Sequence, residues 1–154
     1  MEIDDSEATT VGTPVRQLSV FLQNRVGALL SVVQLMEDHH VVVLGLSVQD
    51  SIDVTVVRLV VSDPDLVETT FMERGIPFST TEIIVVEFTS GATGLSDCLR
   101  SLLNAETNVH FVYPILSRPN DRPVLALCLE DNEFGKSVLL REGYKLLFQE
   151  DLSR

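Results

Sequence analysis

A repeated spacing constrains the fold of this 154-residue chain more than any other feature of its sequence. Four pairs of similar residues recur 67 positions apart: Phe21 and Phe88, Gly27 and Gly94, Leu35 and Leu102, Met36 and Leu103. Gly75 and Gly143 recur 68 positions apart, which indicates one inserted residue in the second copy. Such agreement indicates an internal duplication of a unit of roughly 65 residues. The chain is therefore expected to use one small fold twice.

The first unit is predicted to follow the order strand, helix, strand, strand, helix, strand. Leu18, Val20 and Leu22 alternate with polar residues, as in a strand with one buried face. A helix with an apolar stripe over residues 29–36 follows, and then two β-branched strands at 41–48 and 54–61. The second helix is opened by Asp63 and Pro64 and ended by Gly75, and a strand at 76–81 closes the unit. Val67 and Phe71 are expected to face inward on the second helix.

The second unit repeats this order. Its predicted elements are a strand at 84–88, a helix whose stripe is Leu95, Cys98, Leu99, Leu102 and Leu103, strands at 109–116 and 124–129, a helix capped by Asp131 that buries Phe134, Val138 and Leu139, and a strand at 146–148 after Gly143. The fold class is therefore α+β, with two tandem ferredoxin-like βαββαβ units. Each unit has a four-stranded antiparallel sheet with both helices on one face.

The predicted domains are a flexible acidic tail at 1–14, a first unit at 15–82 and a second unit at 83–154. The strands at 41–48 and 54–61 are apolar at odd and even positions, so both faces of the sheet carry apolar side chains. An apolar face opposite the helices has to be covered, and a neighbouring repeat or a second chain would cover it. We expect an intimate pair of repeats and a homodimer.

Charge and composition exclude several function classes. Asp and Glu number 23 against 11 Lys and Arg, a net charge of -12, which disfavours a nucleic acid or an anionic membrane as partner. No apolar run approaches the ~20 residues that span a bilayer, and the acidic N-terminus is not a secretory signal, so the expected location is cytoplasmic. The two cysteines make neither a disulfide framework nor a metal site. No cofactor is expected.

The loop between the first strand and first helix, residues 23–29, is the most informative candidate site. Gly27 lets the backbone approach a ligand, free N–H groups at a helix start favour a carboxylate, and the Asn24 amide can donate and accept hydrogen bonds. The alternative is that Asn24 and Gly27 only form a turn and a helix cap.

This loop, within the duplicated topology, resembles that of ACT domains, whose pattern is an apolar strand, a loop of the type Asn-x-Pro-Gly-x-Leu and a helix. The resemblance covers residues 15–152 as two copies, and the chain is especially similar to small stand-alone tandem ACT proteins, including acetolactate-synthase-regulatory-like ones. It implies a non-catalytic regulatory module that binds a small-molecule amino acid near domain interfaces and acts on an amino-acid biosynthetic enzyme. The implied ligand-binding residues of the first unit are Asn24, Arg25, Val26, Gly27, Ala28 and Leu29.

The second copy departs from the family pattern more than the first. Val26 replaces the family's proline in the first loop, and in the 67-residue register Gly91 of the second loop aligns with Asn24. The implied ligand-binding residues there are Ser90, Thr93, Gly94 and Leu95, with hydroxyl groups only on Ser90 and Thr93.

Other functions are weaker candidates. A structural dimerisation module without ligand fits the altered loops, and Arg25 near a loop glycine is reminiscent of an acylphosphatase-like hydrolase. RNA recognition is excluded, since the strand at 54–61 lacks aromatic residues and the charge is negative. His39 and His40 are adjacent at a helix end and are expected to cap carbonyl groups rather than to bind metal.

Overall fold

The computed structural model describes residues 12–23 and 26–153, with Ala92 described by its backbone alone. It contains seven strands and five helices within these residues. The strands are β1 (Val15–Leu22), β2 (Val43–Asp50), β3 (Thr55–Val61), β4 (Phe78–Glu87), β5 (Val109–Pro114), β6 (Val124–Leu129) and β7 (Lys145–Leu147). The helices are α1 (Ala28–Asp38), α2 (Pro64–Arg74), α3 (Gly94–Asn104), α4 (Asn132–Arg141) and α5 (Gln149–Ser153).

Each unit has the predicted ferredoxin-like topology. In the first, antiparallel pairing gives the order β4-β1-β3-β2, and in the second it gives β7-β4-β6-β5. The α+β fold class and the order of elements are therefore as the sequence predicted. The helix α5, after the last strand, was not predicted.

A single strand joins the two units. Residues 76–81 and 84–88 were predicted to form two separate strands, but β4 runs without a break from Phe78 to Glu87. Its first half pairs with β1 up to Val15 opposite Ile83, and its second half pairs with β6 and β7. The proposed division between residues 82 and 83 lies inside this strand. The two sheets are thereby fixed to each other by continuous backbone.

Three apolar clusters form the core. Two of them lie between a sheet and its helices: the first helix core includes Leu18, Val57 and Phe71, and the second helix core includes Ile84, Cys98 and Leu139. The third, which we call the central core, lies on the faces opposite the helices and draws on strands of both units. Its buried members are Val15, Leu44, Val60, Ile83, Val85, Tyr113, Ile115, Val124, Ala126, Cys128, Leu147 and Leu152.

The central core explains the strands that are apolar on both faces. The predicted intimate pair of repeats is present, because the faces without helices cover each other within one chain. The outer strands also meet: Leu116 and Ser117 both donate their N–H groups to the Leu44 carbonyl, at 2.8 and 3.1 Å. A second chain is no longer needed to bury these faces, so the homodimer stays a prediction without this support.

The duplication is real, but its register differs from the predicted one. The buried positions of α1 and α3 correspond at 66 residues, as Ala28 to Gly94, Val32 to Cys98 and Met36 to Leu102. After the second strand the spacing is 68, which relates the capping residues Asp63 and Asp131. The predicted 67 was therefore wrong by one residue over the first strand and helix, whereas the predicted 68 between Gly75 and Gly143 is confirmed.

Several exposed side chains also differ from expectation. Phe134 is 44% exposed rather than buried on α4, whereas Val138 and Leu139 are buried as predicted. On α3 only Cys98 and Leu102 of the predicted stripe are buried, and Leu95, Leu99 and Leu103 face solvent. Both cysteines are buried and unpaired, as expected of small core residues.

The described end of the predicted acidic tail is bonded to the rest of the protein. Thr13 donates its N–H to the Glu150 carboxylate at 2.8 Å, and the Thr13 carbonyl accepts from the Gln149 N–H at 2.9 Å. The remainder of the predicted tail, residues 1–11, lies outside the described residues. The Glu150 carboxylate is favoured in its charged form by these bonds, which lower its pKa.

A buried hydrogen bond between the units provides a test of the central core. The Tyr113 hydroxyl donates to Gln17 Oε1 at 2.7 Å, and both side chains are buried. Tyr113→Phe should lower the free energy of unfolding by about 1–3 kcal/mol, because the Gln17 oxygen loses its donor away from water. Tyr144→Phe, at the half-buried second tyrosine, should cost less. Denaturant unfolding checks both, and the double variant Gln17→Leu/Tyr113→Phe should recover part of the loss.

Alkaline pH tests the burial of Cys98. Burial raises the pKa of the Cys98 thiol to about 11 from its ordinary value of 9.0. Below pH 9 the thiol is neutral in both states and has no effect. Above it the unfolded thiol releases its proton while the buried one keeps it, so stability falls with rising pH, at most about 1.4 kcal/mol per unit from one group. Cys98→Val should reduce this slope in unfolding curves taken between pH 8 and 11; an unchanged slope would contradict the assignment.

Candidate functional site

The second unit displays its strand-to-helix loop completely. β4 ends at Glu87, Phe88 to Ser90 follow, and a single 3₁₀ turn, Gly91–Thr93, leads directly into α3. Gly91 has a φ of 75°, a left-handed backbone conformation in which glycine is favoured. Gly94 packs against the Phe88 ring, since an added Cβ would lie 3.5 Å from it. These glycines bring the first turn of α3 close to the end of the strand.

The first unit displays only part of its loop. Asn24 and Arg25, two of the predicted ligand residues, lie outside the described residues. Val26 is fully exposed, and Gly27 has a φ of 86° as the N-cap residue of α1. Ala28 is buried and Leu29 is half-buried against the first helix core. Of this set, then, Val26 and Gly27 lie at the surface where a ligand could contact them.

The four long helices fall into two classes by their N-terminal caps. The Asp63 carboxylate accepts from the Leu66 N–H at 3.2 Å at the start of α2, and Asp131 accepts from the Phe134 N–H at 3.0 Å at the start of α4. The helices that follow the candidate loops, α1 and α3, have no side-chain cap hydrogen bond from Gly27 or Thr93. Helix starts without such a cap keep N–H groups available to an anion.

The corrected register changes which residues correspond in the two loops. At a spacing of 66, Asn24 corresponds to Ser90 rather than to Gly91, and Gly27 corresponds to Thr93. Each loop therefore places a hydrogen-bonding side chain at the same position. The Thr93 hydroxyl is engaged locally, donating to the Ser90 carbonyl at 3.0 Å, whereas Ser90 is exposed.

A cavity of about 210 Å³ lies beside the second loop. It brings together two of the predicted residues, Ser90 and Gly94, and leaves out Thr93 and Leu95. Its lining consists of Glu87, Phe88, Thr89, Ser90, Gly94, Asp97, Glu142, Gly143, Tyr144 and Lys145. The turn between α4 and β7 thus forms a wall of the cavity, which the sequence did not indicate.

Four charged residues that sequence reasoning missed line this cavity, Asp97, Glu142, Lys145 and Glu87, and Glu87 is the one enclosed by the fold. Its side chain is completely buried, and both carboxylate oxygens accept from the Asn120 amide at 3.0 and 2.9 Å. The Lys145 ammonium lies 3.6 Å away. A single acid inside the apolar run Ile84–Phe88 was the available signal, because a carboxylate in such a run needs partners from elsewhere in the fold.

The remaining candidates have structural roles. His39 Nδ1 lies 2.9 Å from the Leu35 carbonyl at the end of α1, as expected of a capping histidine. Over residues 12–23 and 26–153, no group of three or more His, Cys, Asp or Glu side chains is placed to hold a metal ion. Within the same ranges, no helix is long and apolar enough to cross a membrane.

Comparison with known proteins places this geometry in a family. A family model described as an ACT domain pair matches residues 13–154. The fold is similar to protein BT0572 from Bacteroides thetaiotaomicron, with a TM-score of 0.83 and 20% identity over 93% of this chain and 98% of that one. It is less similar to the ligand-free regulatory subunit of aspartate kinase from Thermus thermophilus, with a TM-score of 0.54 and 11% identity over 82% and 89%. The sequence matches none of the curated proteins.

The two classes of helix start can be separated by mutation. Asp63→Ala and Asp131→Ala should each lower the free energy of unfolding by about 1 kcal/mol, because each removes the acceptor for an N–H group in the first turn. Thr93→Ala should cost less, since the Thr93 hydroxyl does not cap α3. Denaturant unfolding of the three variants checks this, and an equal loss in Thr93→Ala would show that α3 is capped after all.

Proposed function

The chain belongs to the ACT domain pair family, and on that premise we propose that it is a non-catalytic sensor of an amino acid. The observation that carries the proposal is the difference between the helix starts. The helices that do not follow the candidate loops, α2 and α4, are each capped by an aspartate side chain. The first-turn N–H groups of α1 and α3 have no side-chain cap. A ligand carboxylate would supply the missing acceptor.

In the second unit the ligand would lie in the cavity beside the loop. Its carboxylate would accept from N–H groups at the start of α3, and the Ser90 hydroxyl would bond its head group. The volume of about 210 Å³ suits a molecule of amino-acid size rather than a nucleotide. The wall carries three carboxylates, Glu87, Asp97 and Glu142, and one ammonium, Lys145, so it complements the ammonium group of an amino acid.

In the first unit the corresponding residues are Asn24, Arg25, Val26, Gly27, Ala28 and Leu29, with Asn24 in the role of Ser90. The amide of Asn24 offers both a donor and an acceptor, so this site is expected to bind at least as tightly as the second. The exposed Val26, in place of the family's proline, leaves the loop less rigid.

Regulation requires that the ligand bind two states of the protein with different affinity. Because β4 is shared, a continuous strand leads from the second loop to the sheet of the first unit and would carry such a change. The regulated partner would be an amino-acid biosynthetic enzyme, by analogy with the aspartate kinase whose regulatory subunit is similar in fold. A homodimer in the cytoplasm remains part of the proposal, with exposed Leu95, Leu99 and Leu103 of α3 as candidate contacts.

A thermal-shift screen of the full chain against the twenty amino acids at millimolar concentration tests the proposal. A ligand at 100 times its dissociation constant adds about 2.7 kcal/mol, which raises the melting temperature by about 5–10 °C in a protein of this size. One amino acid, or a few related ones, should produce such a shift.

Variants then assign the sites. Asn24→Ala and Ser90→Ala should each reduce the shift, and together they should abolish it, whereas Thr69→Ala, at an exposed hydroxyl of α2, should leave it unchanged. Folded protein that shows no shift with any amino acid would favour a structural dimerisation module without ligand. A shift that survives the double variant would place the ligand elsewhere.

A further inference from the structure

A second and larger cavity lies away from both loops, between α4 and the N-terminal segment of the described chain. Its volume is about 580 Å³, and it shares no lining residue with the cavity beside Ser90. We call it the α4 groove, and it is lined by Gly12, Pro14, Val15, Ile83, Ile84, Val85, Glu133, Lys136, Ser137, Leu140, Leu146, Leu147 and Phe148. The groove forms where β1 and β7 meet the same stretch of β4, Val15 opposite Ile83 and Leu147 opposite Val85.

Most of the groove surface is apolar. Ile83, Ile84 and Val85 are buried and belong to the central core and the second helix core. Leu140, on α4, borders the cavity and is 59% exposed. A ligand with an aliphatic chain would remove this surface from water.

Among the described residues, two charged side chains line the groove, and both are on α4. The Lys136 ammonium lies 3.3 Å from a Glu133 carboxylate oxygen. The Lys136 side chain is only 24% exposed, whereas that of Glu133 is 83% exposed. The lysine stem therefore packs into the wall with its charge at the rim, and its present partner is a solvent-exposed carboxylate held weakly in place.

This placement is notable because lysine is scarce in the chain. The sequence contains two lysines, Lys136 and Lys145, against 23 acidic residues. An acidic protein repels anionic ligands, so an anion needs a local cation at its site. Lys136 supplies one at the edge of an apolar cavity, and the Ser137 hydroxyl beside it already donates to the Phe134 carbonyl at 2.7 Å. The Lys136 ammonium is therefore the group in the described lining that can bind an anionic head group.

We propose that the α4 groove is a binding site for an aliphatic carboxylate of medium chain length. The chain lies on Ile84 and Leu140, and the carboxylate replaces that of Glu133 on the Lys136 ammonium. The site is independent of the proposed amino-acid site, because the two cavities have separate walls and separate lysines.

Isothermal titration calorimetry of octanoate into the full chain tests the site. Octanoate should bind, and Lys136→Met, which keeps the apolar stem and removes the charge, should weaken it about tenfold or more, the loss of one charge-assisted hydrogen bond. Arg141→Met is the control, at an exposed arginine of the same helix that lines neither cavity, and it should leave octanoate binding unchanged. Glu133→Gln should leave it unchanged or tighten it, because the competing carboxylate is gone.

The uncharged probe 1-octanol separates charge recognition from adventitious apolar binding. It should bind more weakly than octanoate to the wild-type protein and equally to wild type and Lys136→Met. Leu140→Trp, at an exposed position that circular dichroism can show to be folded, should block both probes. The proposal is overturned if octanoate fails to bind at millimolar concentration, if Lys136→Met binds it as tightly as wild type, or if octanol binds as tightly as octanoate.

Discussion

The burial of the two helix-free sheet faces against each other is the constraint on which the rest of the structure depends. A single ferredoxin-like unit with the residues of β3 would expose apolar side chains on one face of its sheet. The duplication places two such faces in one chain, and the central core joins them through residues such as Val60 and Ala126. The continuous strand β4, the Tyr113–Gln17 hydrogen bond and the strand contact at Leu44 then fix the relative position of the units.

Because packing of the faces stabilises the fold, the loops at the ends of β1 and β4 are free to take other roles. The difference in capping follows this division. Asp63 and Asp131 cap α2 and α4, which pack against the sheets and do not follow a candidate loop, while α1 and α3 begin at glycine-containing loops. The copies also differ in a way that suits different ligands. Position 24 is Asn and position 90 is Ser, and buried Glu87 corresponds to exposed Phe21 at the 66-residue spacing.

The sequence predicts the types of the elements and the helix caps well. It predicts the register of the repeat and the surroundings of individual side chains less well. Asp63, Asp131 and Gly75 act locally, so their roles as caps could be predicted. The register of the first strand and helix could not, because matching residue types misaligned Phe21, which is exposed, with Phe88, which is buried in the second helix core. Residue types alone likewise gave no reason to join two strands into β4. The partners of Glu87, Asn120 and Lys145, come from distant segments, and no local pattern could have placed them beside it.

The central functional claim is that a ligand carboxylate accepts hydrogen bonds from the first-turn N–H groups of α1 and α3. The most direct measurement is a titration of ¹⁵N-labelled protein with the amino acid that gives the largest thermal shift, followed by amide chemical shifts. The account predicts the largest changes at the first-turn N–H groups, residues 28–30 and 94–96, with little change at the capped starts of α2 and α4. Changes centred on Leu66 and Phe134, or on neither class of helix start, would contradict it.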